Sequence, residues 1–124
     1  MTPQPRPLAW IGSAYKDYCE FPEEVQDDLG YRLYRVQIGA SNIPGAKPLS
    51  QGMLKGLGIT ELIDDYDKDT YRVVYTTKLS GMVYVLHAFK KKSKHGIATS
   101  QHDMDLIRAR YDAAVLDYQR RCGN

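Results

Sequence analysis

Arg72 and the basic run Lys90, Lys91, Lys92, Lys94 and His95 are the residues best suited to chemistry in this chain. They sit at the two ends of a segment, Tyr71 to Lys94, in which alternating Tyr71, Val73, Tyr75 and Thr77 are followed by the apolar run Met82 to Phe89. Such a pattern predicts two neighbouring strands of an antiparallel sheet, the second buried on both faces. A buried strand that ends in lysines delivers positive charge on a rigid support, which is what handling a phosphate requires. Arginine's planar fork can hold two phosphate oxygens, and crowded lysines disfavour one another's charge, bringing one of Lys90, Lys91, Lys92 or Lys94 towards use as acid or base. His87 is the other titratable group at hand, although a histidine among Val85, Leu86 and Phe89 is more often a hydrogen-bonded core residue. Arg72 is expected to face the surface, opposite its buried neighbours Tyr71 and Val73.

Charge along the chain is segregated, although the net charge is only +2. Six acids and no base lie between Asp17 and Asp28, whereas seven lysines and arginines, Lys78 among them, face the single acid Asp69 between Lys68 and His95. A molecule so divided presents a positive face to a polyanion while staying near neutral overall. RNA fits that face chemically. Its 2′-hydroxyl can attack the adjacent phosphorus given a base, a proton donor for the leaving 5′-oxygen, and cations against the charge that builds on phosphorus.

Other chemistries lack their residues. His87, His95 and His102 have no metal-ligand spacing, and Cys19 and Cys122 have no close partner, so neither a metal site nor a disulfide framework is signalled. The glycines from Gly52 to Gly58 are followed by no helix opening and no Ser or Thr after Lys55, which excludes a nucleotide loop. Asp64, Asp65, Asp67 and Asp69 lack the glycine and terminal glutamate of a calcium loop. No metal and no cofactor are expected. The N-terminal residues carry no signal-peptide pattern and no apolar run approaches the roughly 20 residues of a membrane span, so a soluble cytoplasmic protein without membrane contact is expected.

The elements that must position these groups read as α+β. At 124 residues a single domain, 1–124, is expected. Leu8 to Ile11 reads as a first strand, Ala14 to Cys19 as a brief helix, and Pro22 as the first position of a longer one. That helix shows Val25, Leu29, Leu33 and Val36 at helical spacing and ends at Gly39. Ser41 to Gly52 reads as a loop, Ile59 to Tyr66 as a strand, and Asp67 to Asp69 as the turn into the hairpin. Ser100 and Asp103 form a capping-box-like start to a last helix striped with Met104, Ile107, Tyr111, Ala114 and Tyr118. The helices are expected on one face of a small antiparallel sheet, leaving its other face partly open.

The stretches FPEEVQ, Lys47 to Leu62, TYRVVY, VYVLHAFKKKSKHGIAT and DLIRARY resemble the phage-derived Gp49-like group of the RelE/HigB toxin superfamily, over Trp10 to Tyr111. The resemblance implies a RelE-like fold: a small antiparallel sheet with two N-terminal helices on one face, and a C-terminal helix. It implies the toxin of a type II toxin–antitoxin pair, an endoribonuclease cleaving mRNA on the ribosome, and a cognate antitoxin that is a helix–turn–helix DNA-binding protein. Arg72 matches the arginine of the YRV strand, Lys91 and Lys92 the lysines of the HAFxKK motif, and Lys55 the basic residue before the second strand. With His87 these give a catalytic set of Arg72, Lys91, Lys92 and His87, and an RNA-binding set of Lys55, Lys78, Lys90, Lys94 and His95. Tyr111 and Tyr118 fall on a core stripe and receive no catalytic role. A non-catalytic RNA-binding or interaction module on the same fold is the competing expectation.

Overall fold

The structure is a computed structural model that describes residues 4–91 and 99–122. The expected site residues Lys92, Lys94 and His95 lie outside the described residues. Five strands, β1 (Leu8–Trp10), β2 (Ala46–Pro48), β3 (Ile59–Tyr66), β4 (Asp69–Thr76) and β5 (Val83–Lys91), form one sheet in the order β1-β5-β4-β3-β2. Helices α1 (Ala14–Cys19), α2 (Glu23–Gln37) and α3 (Gln101–Arg121), with a 3-10 turn at Gly52–Leu54, complete the described fold. The β3–β4–β5 meander is antiparallel as expected, but β1 pairs parallel to β5, which makes the sheet mixed. β2 lies within the stretch read as loop and pairs antiparallel with β3.

Local chemistry explains the boundaries. Pro22 caps α2 with extended φ and ψ of −54° and 146°, one position before the helix begins, and Glu23 and Glu24 occupy the dipole-favoured first turn. Gly39, at φ 77°, closes the helix: its N–H and that of Ala40 donate to Val36 and Arg35 carbonyls, the pairing of a Schellman motif. Asp67 and Lys68 both take positive φ, 48° and 74°, so β3 and β4 meet through a two-residue turn of the type that matches strand twist. α3 begins where Ser100 accepts a hydrogen bond from the Asp103 N–H.

The sheet is covered on both faces, contrary to the expectation of one open face. Val73, Tyr75, Val83 and Val85 pack with Val25, Leu29 and Leu33 of α2 and with Ala14 and Tyr18 of α1. Val74, Tyr84 and Leu86 point the other way and pack with Ile107 and Ala114, flanked by Met104, Tyr111 and Tyr118, all on α3. The reason lies in β4 and β5: both are apolar at consecutive positions, so each face exposes side chains that only a helix can keep from water. None of the helices among the described residues is long and apolar enough to cross a membrane.

β5 carries one irregularity. Tyr75 pairs with Val85 but Val74 pairs with His87, so Leu86 is the extra residue of a β-bulge. Leu86 and His87 therefore both turn towards α3, and Phe89 and Lys91 follow on that face, opposite Arg72 and Thr70.

Ile107 is fully buried on the α3 face. Ile107→Ala should lower stability by about 2–5 kcal/mol, read as a shifted urea midpoint at unchanged slope. Leu116→Ala on the exposed side should stay within roughly 0.5 kcal/mol; equal losses from the two would mean that α3 does not pack as described.

Candidate functional site

Beyond the N-terminal end of α3, the sheet face that bears Arg72 opens into a cleft of about 480 Å³, lined by Lys47 and Gln51, by Glu61 and Asp65, and by Thr70, Arg72 and Thr99. Three strands build it. Alternation along β3 turns Glu61, Ile63 and Asp65 to this face, β4 turns Thr70 and Arg72, and the Lys47–Glu61 register brings Lys47 across from β2.

Arg72 is not on the surface as expected. It is buried, as is Glu61, with side-chain exposures of 7% and 8%, and its Nη1 donates to both Glu61 carboxylate oxygens at 3.3 and 3.4 Å and to Thr99 Oγ1 at 3.5 Å. Arg72 does lie on the face opposite Tyr71 and Val73, but on the floor of the cleft, where Glu61 and Thr99 cover its side chain. A buried guanidinium needs a counter-charge, and Glu61 supplies it. These contacts are longer than the 2.7–2.9 Å usual for charge-assisted bonds, and both carboxylate oxygens share one nitrogen. The Arg72–Glu61 pair therefore runs through Nη1 rather than through a two-nitrogen fork.

The other expected site residues divide by position. Lys91 shares the Arg72 face, its Nζ 6.0 Å from the Phe89 ring centroid. Lys90 points to the opposite face, 3.6 Å from Asp69, and lines a separate groove with Asp17, Glu20 and Phe21. Lys55 and Lys78 lie at the other end of the meander, where Lys78 Nζ donates to the Gly56 carbonyl at 3.3 Å. Lys78 follows the end of β4, six positions after Arg72, and neither Lys78 nor Lys55 lines the cleft.

His87 is buried and both its ring nitrogens are engaged. Arg110 Nη1 lies 3.4 Å from Nδ1 and Asp103 Oδ1 lies 2.9 Å from Nε2. Because a guanidinium only donates, Nδ1 accepts and Nε2–H donates to the carboxylate. Arg110 also donates to the Leu86 carbonyl at 3.1 Å and to Ser13 Oγ at 2.8 Å. The cluster thus fastens the start of α3 to the bulge of β5 and to the turn before α1. Burial depresses the His87 pKa, outweighing the opposite pull of Asp103.

Sequence reading missed Glu61, Lys47 and the His87 partners Asp103 and Arg110. Glu61 had a signal: it shares the parity of Ile59 and Ile63 in β3, where a carboxylate needs a cationic neighbour. Lys47 had none, since its strand is three residues long between prolines.

The phage-derived Gp49-like protein family model matches residues 16–112. The chain belongs to that family. Its fold is similar to that of the E. coli toxin RelE, solved in the free state as an arginine double mutant, at 16% identity and TM-score 0.58, over 86% of this chain and 98% of that one. A weaker likeness, TM-score 0.44 at 16% identity over 72% of this chain and 94% of that one, is to the RelBE2 toxin–antitoxin complex from Mycobacterium tuberculosis. No curated protein matches the chain. The Gp49-like chain therefore has a RelE-like fold, with the cleft on its α3 face.

A histidine whose folded pKa lies below its unfolded value of about 6.5 stabilises the fold above that pH and ceases to do so as pH falls through the folded value. Wild-type stability minus that of His87→Gln should therefore shrink as pH drops below about 6.5. NMR titration of the ring should place the midpoint below 6.5, with the proton on Nε2 at neutral pH; a midpoint above it would contradict the buried, neutral assignment.

Proposed function

We propose that this Gp49-like chain is the toxin of a type II toxin–antitoxin pair and cleaves mRNA on the ribosome as a metal-independent endoribonuclease. The observation that carries the reading is the Arg72–Glu61 pair at the base of a cleft that also holds Lys47. It puts an acceptor for a proton beside a donor for phosphate oxygens, in a site sheltered from water.

Glu61 is the base in this reading. Its carboxylate takes the proton of the 2′-hydroxyl, the 2′-oxygen bonds to phosphorus, and the bond from phosphorus to the 5′-oxygen breaks. Arg72 turns from Glu61 to the non-bridging oxygens and stabilises the charge that gathers on them. Lys91, with Lys92 after it in the motif, supplies positive charge and the proton taken up by the departing 5′-oxygen. The products are a 2′,3′-cyclic phosphate and a 5′-hydroxyl. His87 holds α3 in place and does not serve as the base, because Arg110 occupies Nδ1 and Asp103 occupies Nε2–H. Lys55, Lys78 and Lys90, set apart from the cleft, contact RNA beyond the scissile phosphate or a partner surface. The cognate antitoxin, a helix–turn–helix protein, neutralises the toxin by covering the face of Arg72 and Lys91.

Glu61→Gln keeps the shape and an acceptor for Arg72 but removes the base. Single-turnover cleavage of mRNA on ribosomes should fall by about 10²–10⁴-fold with RNA binding retained. Wild-type cleavage by a folded Glu61→Gln protein would remove Glu61 from the chemistry.

Cleavage should persist in EDTA and leave 5′-hydroxyl ends. The described residues hold no group of three His, Cys, Asp or Glu able to bind an ion, and the three roles are filled by side chains. Ends bearing 5′-phosphate, or activity restored only by added metal, would overturn the mechanism. Induction without the antitoxin that leaves growth and transcripts intact, in cells where the chain binds RNA, would favour the non-catalytic module.

A further inference from the structure

Arg32 lies on α2, across the sheet from the cleft, yet its guanidinium reaches around the β3 edge. Nη1 donates to the Ile63 carbonyl at 2.8 Å and to the Pro44 carbonyl at 3.1 Å, while Nη2 pairs with Asp28 and, at 3.1 Å, with Asp64. Gly45 fits between these groups only because it has no side chain: a Cβ there would stand 2.5 Å from Arg32 Nη1 and 2.7 Å from the Ile63 oxygen, at φ 75°. Gly45 in turn accepts from the Ile63 N–H at 3.1 Å and leads directly into β2.

β2 has three residues, sits at the sheet edge and ends in Pro48, so its own ladder is marginal. It is pinned at two points. Leu49 anchors one end, 4% exposed, with its N–H on the Ile59 carbonyl at 2.8 Å. Arg32 and Gly45 anchor the other. Lys47 lies between them and forms the cleft wall opposite Glu61.

We infer that Arg32 is a positioning residue for the RNA cleft: it holds the β2 arm so that Lys47 meets an RNA phosphate across from Arg72. The inference rests on the RNA reading of the cleft. The carboxylates that aim Arg32 also make the arm responsive to acid, since burial and the neighbouring Asp28 push Asp64 up to about 6 against the pull of Arg32.

Two measurements decide it, neither requiring cleavage. Arg32→Met removes the donors at similar length; amide hydrogen exchange at Lys47 and Leu49 should quicken about tenfold or more while Val73 and Val85 stay protected. Gly45→Ala should act in the same direction from the other side of the contact. Unchanged exchange in β2, or equal loss throughout the sheet, would overturn the inference. Affinity for a 2′-O-methyl RNA oligonucleotide, which cannot be cleaved, then tests the link to Lys47. Arg32→Met and Lys47→Ala should each weaken binding, by roughly three- to tenfold, and the double variant should bind no worse than Lys47→Ala. Additive losses, or a wild-type chain that does not bind the oligonucleotide, would overturn the RNA-facing role. Wild-type binding without cleavage of unmodified mRNA on ribosomes would instead refute the ribonuclease reading and leave the positioning role supported.

Discussion

Everything in this fold depends on β4 and β5 being apolar on two faces at once. One helix layer cannot cover both, so the chain supplies α1 and α2 before the meander and α3 after it. That division sets the location of the cleft. α3 begins only at Gln101, reaches His87 through Asp103 in its first turn, and among the described residues no helix caps the part of the sheet around Arg72, Glu61 and Lys47. The cationic residues stand at the boundary between covered and uncovered sheet, where backbone is rigid and solvent has limited access.

Burial at that boundary governs the electrostatics. A guanidinium and a carboxylate taken out of water depend on each other, since removing either would strand its partner at a cost of about 3–5 kcal/mol. The contacts between Arg72 and Glu61, longer than usual for charge-assisted bonds, still give each buried group its counter-charge. In the proposed reaction the same pair would meet the substrate phosphate. A similar economy holds at Arg32, which joins α2 to the sheet edge while setting the position of an arm on the other side.

Much of the architecture was legible in the residues. Alternation gave β3 and β4, an apolar run gave β5, and the Ser100–Asp103 pair with its stripe gave α3, because each is a local pattern of appreciable length. The face that α3 chooses was not legible, since a helix stripe says that burial is needed without saying against what. β2 was hidden for a related reason: the three residues Ala46–Pro48 carry no periodicity and become a strand only through β3 and Arg32. In the site, Arg72 was identified by type and neighbours, but its burial depended on Glu61, eleven residues earlier and on another strand. Lys78 was grouped with it because charge was counted along the chain, and an extended strand carries neighbours in sequence far apart in space; Lys55 was grouped with it through the family resemblance.

The extra residue at Leu86 decides which way the basic motif faces. Beyond it, Phe89 lies opposite Arg72 and Lys91 opposite Thr70. Were the strand in uninterrupted phase, Ala88 would take the place of Phe89 and Lys90 that of Lys91, and each side chain after the bulge would change sides. The motif's meaning is therefore one of parity. Between two lysines that are adjacent and chemically identical, a single uncounted residue upstream selects which one shares the face of Arg72 and which looks towards the acidic end of α1.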